Sequence, residues 1–393
     1  MAMNSRWAQA RNILAVRLDN MGDVLMTSPA LRALHSGHPQ ARVTLLTSAA
    51  GAQAARRIKA VDRTLIYDAP WSGGPGSQSR SAQTDLRLIE TLARHQFDAA
   101  VVFTVCTQSA LPAALTCRLA GIPLRLAHAR ENPYALLSDW VPETDTAIAV
   151  ARHEVQRQLD LVRHVGFETR DERLQLQYSA QDVQRMRETM AAFGGDASRP
   201  YLVVHPGASA ASRRYPAAAF GRAAAQLQAH TGMQIIFSGA RDEIGLALEA
   251  TAQMPQMPVN LMGHLSLGEL AALIAGARAL VCNNTGPAHI AAALQTPVAV
   301  LYALTNPQHT PWQAPSRVLS HDVPCRNCLK SLCPQLHHHC LELIEPERVV
   351  HAVLDLLGLP VPAPSPSVAQ PLPSRAHAPL ITTPMPALLR GIP

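Results

Sequence analysis

The feature that most constrains this chain is an alternation of short apolar, β-branched runs with segments of helical periodicity, which occurs twice along the sequence. The runs are predicted to be strands at 13–17, 43–47, 64–67 and 99–103, and again at 201–204, 234–237, 279–282 and 298–301. Helices are expected at 29–35, 85–95, 154–165 and 181–193, and then at 216–230, 242–252, 267–275, 287–293 and 346–357. Strands that alternate with helices form parallel sheets covered by helices, so the sequence predicts an α/β chain with two such domains.

The domain limits follow from breaks in this alternation. A Gly-Gly-Asp-Ala-Ser-Arg-Pro segment at 194–200 precedes the first strand of the second block. We expect an N-terminal domain at 1–178, a C-terminal domain at 179–358 and a tail at 359–393. The tail holds 10 of the 31 prolines and has no sustained apolar period, which predicts disorder. Its Pro-Val-Pro-Ala-Pro tract also suits a docking ligand for a proline-recognising partner.

Charge and hydropathy exclude several classes of protein. The chain has 34 Lys and Arg against 28 Asp and Glu with only 4% aromatic residues, which argues against a dedicated nucleic-acid binder. No segment approaches the ~20 apolar residues of a membrane span, and the run at 13–16 is too short for a signal sequence, so a cytoplasmic location is expected. The mild basicity fits an anionic small ligand or a weak approach to an anionic membrane surface.

The first motif that could carry chemistry is Arg-Leu-Asp-Asn-Met-Gly-Asp at 17–23, directly after the first predicted strand. In an open α/β sheet this turn lies at the carboxyl end of the strand, where ligands bind. Gly22 permits close backbone approach, and Asp23 could either accept a proton from a bound hydroxyl or cap a helix. The turn lacks the G-x-G-x-x-G pattern of a classical dinucleotide site.

Two further motifs follow strands of the second block. The segment His-Pro-Gly-Ala-Ser at 205–209, with Arg213 and Arg214 soon after it, suits a phosphate or pyrophosphate. The alternative interpretation of the same sequence is a plain glycine loop with solvated arginines. The segment Asn-Asn-Thr-Gly-Pro-Ala-His at 283–289 places an N-cap threonine and a first-turn proline at a helix start, which is either an anion site or simply a well-capped helix. Between them, Glu243 lies in a strand-to-helix turn where an acidic side chain could bind ribose hydroxyls.

These three motifs together resemble glycosyltransferase family 9, whose best-known members are the ADP-heptose:lipopolysaccharide heptosyltransferases. The likeness extends from about residue 13 to 357 and is densest at 17–34 and 205–301. The resemblance implies a GT-B fold, in which two Rossmann-like domains face a cleft, with the acceptor on the N-terminal side and the sugar nucleotide on the C-terminal side. It implies no metal or cofactor in the chemistry.

The resemblance also implies roles for individual residues. Asp23 would be the catalytic base of an inverting transfer, with Asn20, Met21 and Gly22 in the acceptor-side loop. Donor binding would involve His205, Gly207, Arg213, Glu243, Asn284, Thr285, Gly286 and His289. Asn284 stands where the heptosyltransferases often have aspartate and Tyr215 where they often have tryptophan, which bears on the identity of the transferred sugar.

The implied partners are an ADP-sugar, by family default ADP-heptose, and a lipid-linked or lipopolysaccharide-core acceptor reached by peripheral contact with the cytoplasmic membrane. The alternatives are transfer of another nucleotide-sugar to a different glycan, a non-catalytic nucleotide-sugar-binding protein, and a nucleotide-sugar epimerase, which would act without an acceptor.

Four of the seven cysteines form a cluster at Cys325, Cys328, Cys333 and Cys340, with three histidines inside it. Four thiolates in so short a loop suit a tetrahedral structural zinc ion, while labile disulfides and plain reduced thiols remain alternatives. Loss of these cysteines is expected to lower stability and to leave the donor site intact.

Overall fold

The computed structural model describes residues 4–72, 81–145, 152–304, 308–328 and 330–361. Its first half contains β1 (Asn12–Arg17), α1 (Met21–Ser36), β2 (Arg42–Thr47), α2 (Ala49–Ala55), β3 (Arg63–Ile66), α3 (Ala82–Arg94), β4 (Ala99–Val102), α4 (Leu111–Leu119), β5 (Leu124–Ala129), β6 (Asp139–Pro142) and α5 (Glu154–Arg163). Its second half contains α6 (Ala180–Ala192), β7 (Tyr201–His205), α7 (Ala217–Thr231), β8 (Gln234–Phe237), α8 (Ile244–Thr251), β9 (Val259–Asn260), α9 (Leu267–Gly276), β10 (Ala279–Asn283), α10 (Gly286–Leu294), β11 (Val298–Leu301), β12 (Ser316–Leu319), α11 (His339–Glu342) and α12 (Pro346–Leu356).

The strands form two six-stranded parallel sheets with the same order. The first sheet runs β3-β2-β1-β4-β5-β6 and the second runs β9-β8-β7-β10-β11-β12. This is the Rossmann order, in which the chain leaves the first strand on one side and returns at the fourth strand on the other. Each sheet therefore has one switch point, between β1 and β4 and between β7 and β10, where a crevice opens at the carboxyl ends. The predicted fold class, two Rossmann-like domains with parallel sheets, is confirmed.

The central strands are buried along their whole lengths because helices cover both faces of each sheet. All residues of β4, β7, β10 and β11 are buried, and these segments read as continuous apolar runs. The structure adds strands that the apolar pattern did not indicate, namely β5, β6, β9 and β12. Strand β5 is buried throughout although its sequence contains Arg125 and His128. Arg125 is accommodated because its guanidinium donates to backbone carbonyls, among them that of Leu136 at 2.7 Å.

The helix after β1 was predicted to begin at residue 29, and that prediction is wrong. Helix α1 begins at Met21 and continues through Pro29 to Ser36. Pro29 has no N–H to donate to the carbonyl of Leu25, and the Ser28 hydroxyl donates to that carbonyl instead, at 2.6 Å. Asp23 consequently lies in the first turn of a helix rather than in a loop that precedes one.

The largest apolar cluster contains residues from both sheets and from the helices between them, α1, α5, α6, α9 and α10. Helix α1 packs against α10, so the two sheets are joined directly at their helices. Helix α5 packs on α1, whereas α6 packs on α9, and the predicted domain boundary at residue 178 falls between α5 and α6. In the described part of the chain, no helix has the length and apolar character to cross a membrane. The predicted disordered tail lies outside the described residues from residue 362 onward.

Candidate active site

A cavity of about 390 Å³ lies between the start of α1 and the carboxyl edge of the second sheet. Residues from both halves of the chain line it. All twelve residues predicted for the acceptor-side loop, the base and the donor site are among them: Asn20, Met21, Gly22, Asp23, His205, Gly207, Arg213, Glu243, Asn284, Thr285, Gly286 and His289. The structure thus brings the first motif together with the second and third motifs, which begin more than 180 residues later in the chain.

Two glycines allow the starts of α1 and α10 to meet across this cavity. A Cβ atom at Gly22 would lie 2.8 Å from Cδ2 of His289, and one at Gly286 would lie 2.4 Å from Cε of Met21. Since real Cβ atoms do not approach other heavy atoms this closely, glycine is required at position 22 for this contact. The contact brings the predicted acceptor-side loop, at the start of α1, against the start of α10.

Asp23 is held by a buried arginine. Arg17, the last residue of β1, has its Nη2 3.3 Å from Oδ1 of Asp23, its Nε 2.9 Å from Oδ2 of Asp19 and its Nη1 3.0 Å from Oε1 of Glu154 on α5. The other Asp23 oxygen accepts the backbone N–H of Asn20 at 3.2 Å. Asp23 therefore contributes to capping of α1, as its position alone suggested, and also presents its carboxylate to the cavity.

The two aspartates that contact Arg17, Asp19 and Asp23, have pKa values shifted in opposite directions. Burial raises the pKa of Asp19 above its ordinary value, because it outweighs the opposing charge of Arg17. Burial also acts to raise the pKa of Asp23, but Arg17, the histidines His309 and His289 and the Asn20 N–H together hold that pKa below its ordinary value. Asp23 is therefore the carboxylate of this pair that stays ionised most readily.

On the second sheet, the strand ends are tied together by buried polar side chains. Nδ1 of His205 lies 3.1 Å from the Ser238 hydroxyl, and burial lowers the pKa of His205 to about 4, so the imidazole is neutral near pH 7. Asn283 donates from Nδ2 to the carbonyl of Pro206 at 2.7 Å and accepts the N–H of Tyr215 at 2.9 Å. Asn283 fixes the loop after β7 to the end of β10, a role that the sequence motifs did not indicate.

Glu243 lies directly against Gly207. A Cβ atom at Gly207 would come within 2.1 Å of Oε2 of Glu243, and this oxygen accepts the N–H of Ala240 at 2.9 Å. The glycine of the His-Pro-Gly segment therefore makes room for the Glu243 carboxylate at the cavity wall.

The two neighbouring arginines have different environments. Arg213 lies in a short 3₁₀ turn, Ala211–Arg213, and lines the cavity, and its buried Nε has no hydrogen-bond partner among the described residues. Arg214 is exposed and donates from Nε to the carbonyl of Ala208 at 2.7 Å.

Tyr215, which stands where the heptosyltransferases often have tryptophan, is 2% exposed and donates its hydroxyl to the carbonyl of Ile344 at 2.7 Å. This departure from the family pattern therefore lies in the core and not at the cavity.

The start of α10 presents the motif predicted for an anion. Thr285 is its N-cap residue and Pro287 lies in its first turn. His289 is 4% exposed, its Nδ1 has no hydrogen-bond partner in the described residues, and burial lowers its pKa to about 3. Asn284 is buried and its side chain bonds to Tyr302.

Several other lining residues could not be identified from the sequence. Leu265, Leu267 and Leu270 supply an apolar wall, and His309 enters from the segment after β11. That segment reaches the first half of the chain, where the Gln308 carbonyl accepts the N–H of Glu154 at 3.0 Å. None of these residues lies in a recognisable motif, so only the folded chain identifies them.

The cysteine loop at 325–340 lies beside the Arg213 turn. The Ser212 hydroxyl donates to the carbonyl of Lys330 at 2.8 Å, and the Ser212 N–H donates to the carbonyl of Ser331 at 3.1 Å. Burial raises the pKa of the Cys333 thiol, but backbone N–H groups of residues 335–338 outweigh it and the pKa is lowered. Within the described residues, no three His, Cys, Asp or Glu side chains are arranged to hold a metal ion.

Comparison with known proteins gives a consistent result. The model of glycosyltransferase family 9 (heptosyltransferase) matches residues 86–339. Lipopolysaccharide heptosyltransferase 2 of Salmonella typhimurium is 27% identical over 361 residues, which cover 88% of this chain and 98% of that protein. The solved ADP-heptose lps heptosyltransferase II of E. coli has a TM-score of 0.68 at 25% identity, over 88% and 98% of the two chains. The family 9 glycosyltransferase of Veillonella parvula has a TM-score of 0.74 at 20% identity, over 91% and 98%.

Two parallel Rossmann-like sheets that contribute jointly to one cavity are the arrangement of the GT-B fold. More narrowly, the extent of the family match shows that the chain belongs to glycosyltransferase family 9.

Proposed function

We propose that this chain transfers heptose from ADP-heptose to an acceptor sugar of the lipopolysaccharide core, with inversion at the anomeric carbon. One observation carries the proposal. The Asp23 carboxylate, the cationic Arg213 and the start of α10 line one cavity. An inverting displacement needs both in one site, a base for the attacking hydroxyl and cationic groups for the departing diphosphate. The relatives named above support heptose as the sugar.

Asp23 is proposed as the general base. A sugar hydroxyl is a poor nucleophile until its proton is taken, and a positioned carboxylate takes it as the new bond forms. The ion pair with Arg17 holds Asp23 ionised and fixes its orientation. The proton passes from the acceptor hydroxyl to a carboxylate oxygen of Asp23, while the bond from the anomeric carbon to the diphosphate oxygen breaks.

Arg213 and the α10 N-terminus are proposed to receive the diphosphate. The partial positive charge of a helix start and a guanidinium together stabilise the negative charge that develops on the leaving group. Arg213 Nε and His289 Nδ1, which have no hydrogen-bond partner among the described residues, are buried polar atoms that a bound ligand would satisfy. Glu243 is proposed to bind the ribose hydroxyls, and the lining residues Leu265, Leu267 and Leu270 suit the face of a base.

The test is a transfer assay with purified full-length protein. ADP-heptose and a deacylated, heptose-deficient core oligosaccharide are incubated with the protein, and the acceptor mass is measured. We expect addition of one heptose and release of ADP, both greatly slowed in Asp23→Asn. If the protein transfers sugar from a UDP-, GDP- or CMP-sugar in preference to ADP-heptose, the assignment of ADP-heptose as the donor is wrong. Binding of ADP-heptose without transfer to any acceptor would favour the non-catalytic alternative.

The acceptor is proposed to be lipid-linked, which would bring the protein to the cytoplasmic face of the membrane by peripheral contact.

The structural zinc at Cys325, Cys328, Cys333 and Cys340 stays a prediction from the cysteine spacing. Elemental analysis of protein purified without a histidine tag under reducing conditions measures it, and a metal content near zero would rule it out.

A further inference from the structure

A row of buried charges leads from Asp23 through Arg17 into α5 and away from the cavity. Beyond Arg17, Oε1 of Glu154 lies 3.8 Å from Nη1 of Arg157, three residues further along α5. Arg157 in turn donates from Nε to Oε2 of Glu143, just after β6, at 2.7 Å. The side chains of Arg17, Glu154, Arg157 and Glu143 are 0–3% exposed. We call the five alternating charges, from Asp23 to Glu143, the ionic row.

Stability alone does not favour such a row. Burial of charges is costly, and well-packed apolar side chains of similar volume often give equal or greater stability. The ionic row does fix the geometry of its members, because each charge holds the next. Of the five residues, only Asp23 lines the cavity. The row is therefore expected to serve the orientation of Asp23.

Glu154 is the member that anchors Arg17 to the rest of the fold. Three carboxylates contact the guanidinium, but Asp19 and Asp23 belong to the turn that Arg17 itself begins. Glu154 comes from α5, so it alone of the three ties Arg17 to another element. Its own carboxylate accepts a hydrogen bond from Gln158, which also donates to the carbonyl of residue 104 at 3.0 Å.

The start of α5 is also where the two halves of the chain are joined. The backbone N–H of Glu154 donates to the Gln308 carbonyl at 3.0 Å, in the segment that follows β11 of the second sheet. Next to it, Nε2 of His153 lies 2.9 Å from the carbonyl of Thr310. The same segment brings His309 to the cavity. Glu154 is thus held in place by the half of the chain that carries the proposed donor site, while its side chain reaches Arg17 in the other half.

We propose that Glu154 is a positioning residue for the transfer, which holds the Arg17 guanidinium and through it orients the Asp23 carboxylate towards the acceptor hydroxyl. The proposal rests on the function proposed above and adds to it a residue outside the three sequence motifs. Glu154 does not line the cavity, so it acts on the reaction only through Arg17.

The test compares Glu154→Gln with Glu143→Gln, measured on the full chain. Glutamine keeps the size of the side chain and removes its charge, and each arginine of the ionic row keeps at least one carboxylate in either variant. Glu143 is a matched control, because it is as buried as Glu154 and pairs with the same Arg157 but lies at the far end of the row from Asp23. Arg157 also donates to the carbonyl of residue 104, so it stays in place without the Glu143 charge.

We expect kcat to fall about 10- to 100-fold in Glu154→Gln, since misplacement of a reacting group by about 1 Å can cost 10²-fold. ADP affinity should be unchanged. Glu143→Gln should lower Tm to a similar degree while kcat stays near the wild-type value. Equal kcat values in the two variants would overturn the proposal.

A second variant covers the case in which glutamine at this buried position prevents folding. Glu154→Asp keeps the charge but withdraws the carboxylate from Arg17 by one methylene group. We expect kcat to fall here too, with ADP affinity unchanged. Wild-type kcat in folded Glu154→Asp would overturn the proposal as well.

Combination with Asp23→Asn gives a readout that a merely structural role would not produce. If Glu154 acts through Asp23, Glu154→Gln should cause no further loss of turnover once Asp23 is asparagine, whereas losses that multiply would contradict the proposal. If the wild type transfers no sugar, the proposed function fails, and the same cycle is measured as free energies of unfolding. Non-additive free energies would then show that Glu154 holds Asp23, and additive ones would overturn that link too.

Discussion

At the scale of single residues, the orientation and the lowered pKa of Asp23 depend on Arg17. A buried guanidinium with three carboxylate neighbours cannot be read from the sequence, where Arg17 is simply the polar end of an apolar run. The motif predicted Asp23 as either a base or a helix cap, and the structure shows that the two are compatible. One carboxylate oxygen accepts the Asn20 N–H, and the other faces Arg17.

Replacement of Asp23 by asparagine separates these roles. Asparagine keeps the size of the side chain and an acceptor oxygen for the cap but cannot take a proton. We expect turnover to fall by about 10²- to 10⁴-fold, the usual contribution of a general base, with ADP affinity and Tm little changed. Asp182→Asn is the matched control, because Asp182 occupies the same first-turn position in α6 and accepts the Ser179 N–H at 2.8 Å. It should cost stability and leave turnover unchanged; a near-native rate for Asp23→Asn would remove Asp23 from the mechanism.

The pH dependence of turnover follows from the lowered pKa of Asp23. A base must be ionised, so activity is present above its pKa and is lost as the pH falls through it. Because Arg17 holds this pKa below the ordinary carboxyl value of about 3.9, the acid limb of the kcat/KM profile should lie below that value. Single-turnover measurements after a rapid pH jump avoid acid unfolding. An acid limb at or above the ordinary carboxyl range would contradict the assignment.

Arg213 and Arg214 form a natural pair of test and control. Arg213→Ala should weaken ADP binding by about 10- to 150-fold, since hydrogen bonds to charged groups contribute about 1.5–3 kcal/mol. Arg214→Ala should have little effect, because that side chain is exposed and bonded to a backbone carbonyl. Isothermal titration with ADP measures both. Equal losses would mean that the start of α10 binds the diphosphate without Arg213.

At the scale of elements, the cysteine loop supports the turn that carries Arg213. Ser212 in that turn donates two hydrogen bonds to loop carbonyls, so the loop and the donor side are in direct contact. The cysteine spacing suggested an independent structural element whose loss would leave the donor site intact. The contacts with Ser212 argue against that independence.

The variant Cys328→Ser with Cys333→Ser tests this link. We expect a lower Tm together with weaker ADP binding, because a loop that loses its conformation releases Ser212 and with it Arg213. Cys117→Ser is the control, since Cys117 is buried in the first sheet's core and a hydroxyl there should lower Tm without moving ADP affinity. A Tm loss without an affinity loss in the double variant would restore the original expectation.

The elements that could be predicted from the sequence are those whose side chains are uniformly apolar. The strands β1, β4, β7 and β10 fall into this class, and the three motifs lie at the ends of β1, β7 and β10, so the motif residues of the cavity could be predicted. The edge strand β12 was missed because its sequence Ser-Arg-Val-Leu is only partly buried and has no apolar run. His309 was missed for a different reason: its place in the cavity depends on a segment that crosses between sheets and has no local pattern.

At the scale of the whole molecule, two sheets with one topology present two crevices, and the α1–α10 contact sets how they face each other. The cleft between the sheets carries Asp23 from the first half of the chain and Arg213 with the α10 N-terminus from the second. Transfer between two bound substrates requires that these places be held at a fixed separation, because catalysis by orientation is lost with small displacements. The close approach at Gly22 is the point at which this separation is set.

Substitution of Gly22 by alanine should therefore act on the relation between the sheets. The new Cβ atom would lie 2.8 Å from Cδ2 of the buried His289 ring, so the ring must turn or the starts of α1 and α10 must separate. Overpacking of this kind costs about 1–3 kcal/mol, and we expect a lower Tm and a lower kcat. Gly245→Ala in α8 is the control, because its Cβ meets nothing within 4 Å, and alanine in a helix should add about 0.5–1 kcal/mol. Calorimetry and steady-state kinetics on the two variants decide the matter: native turnover in Gly22→Ala would show that the α1–α10 contact does not set the geometry of transfer.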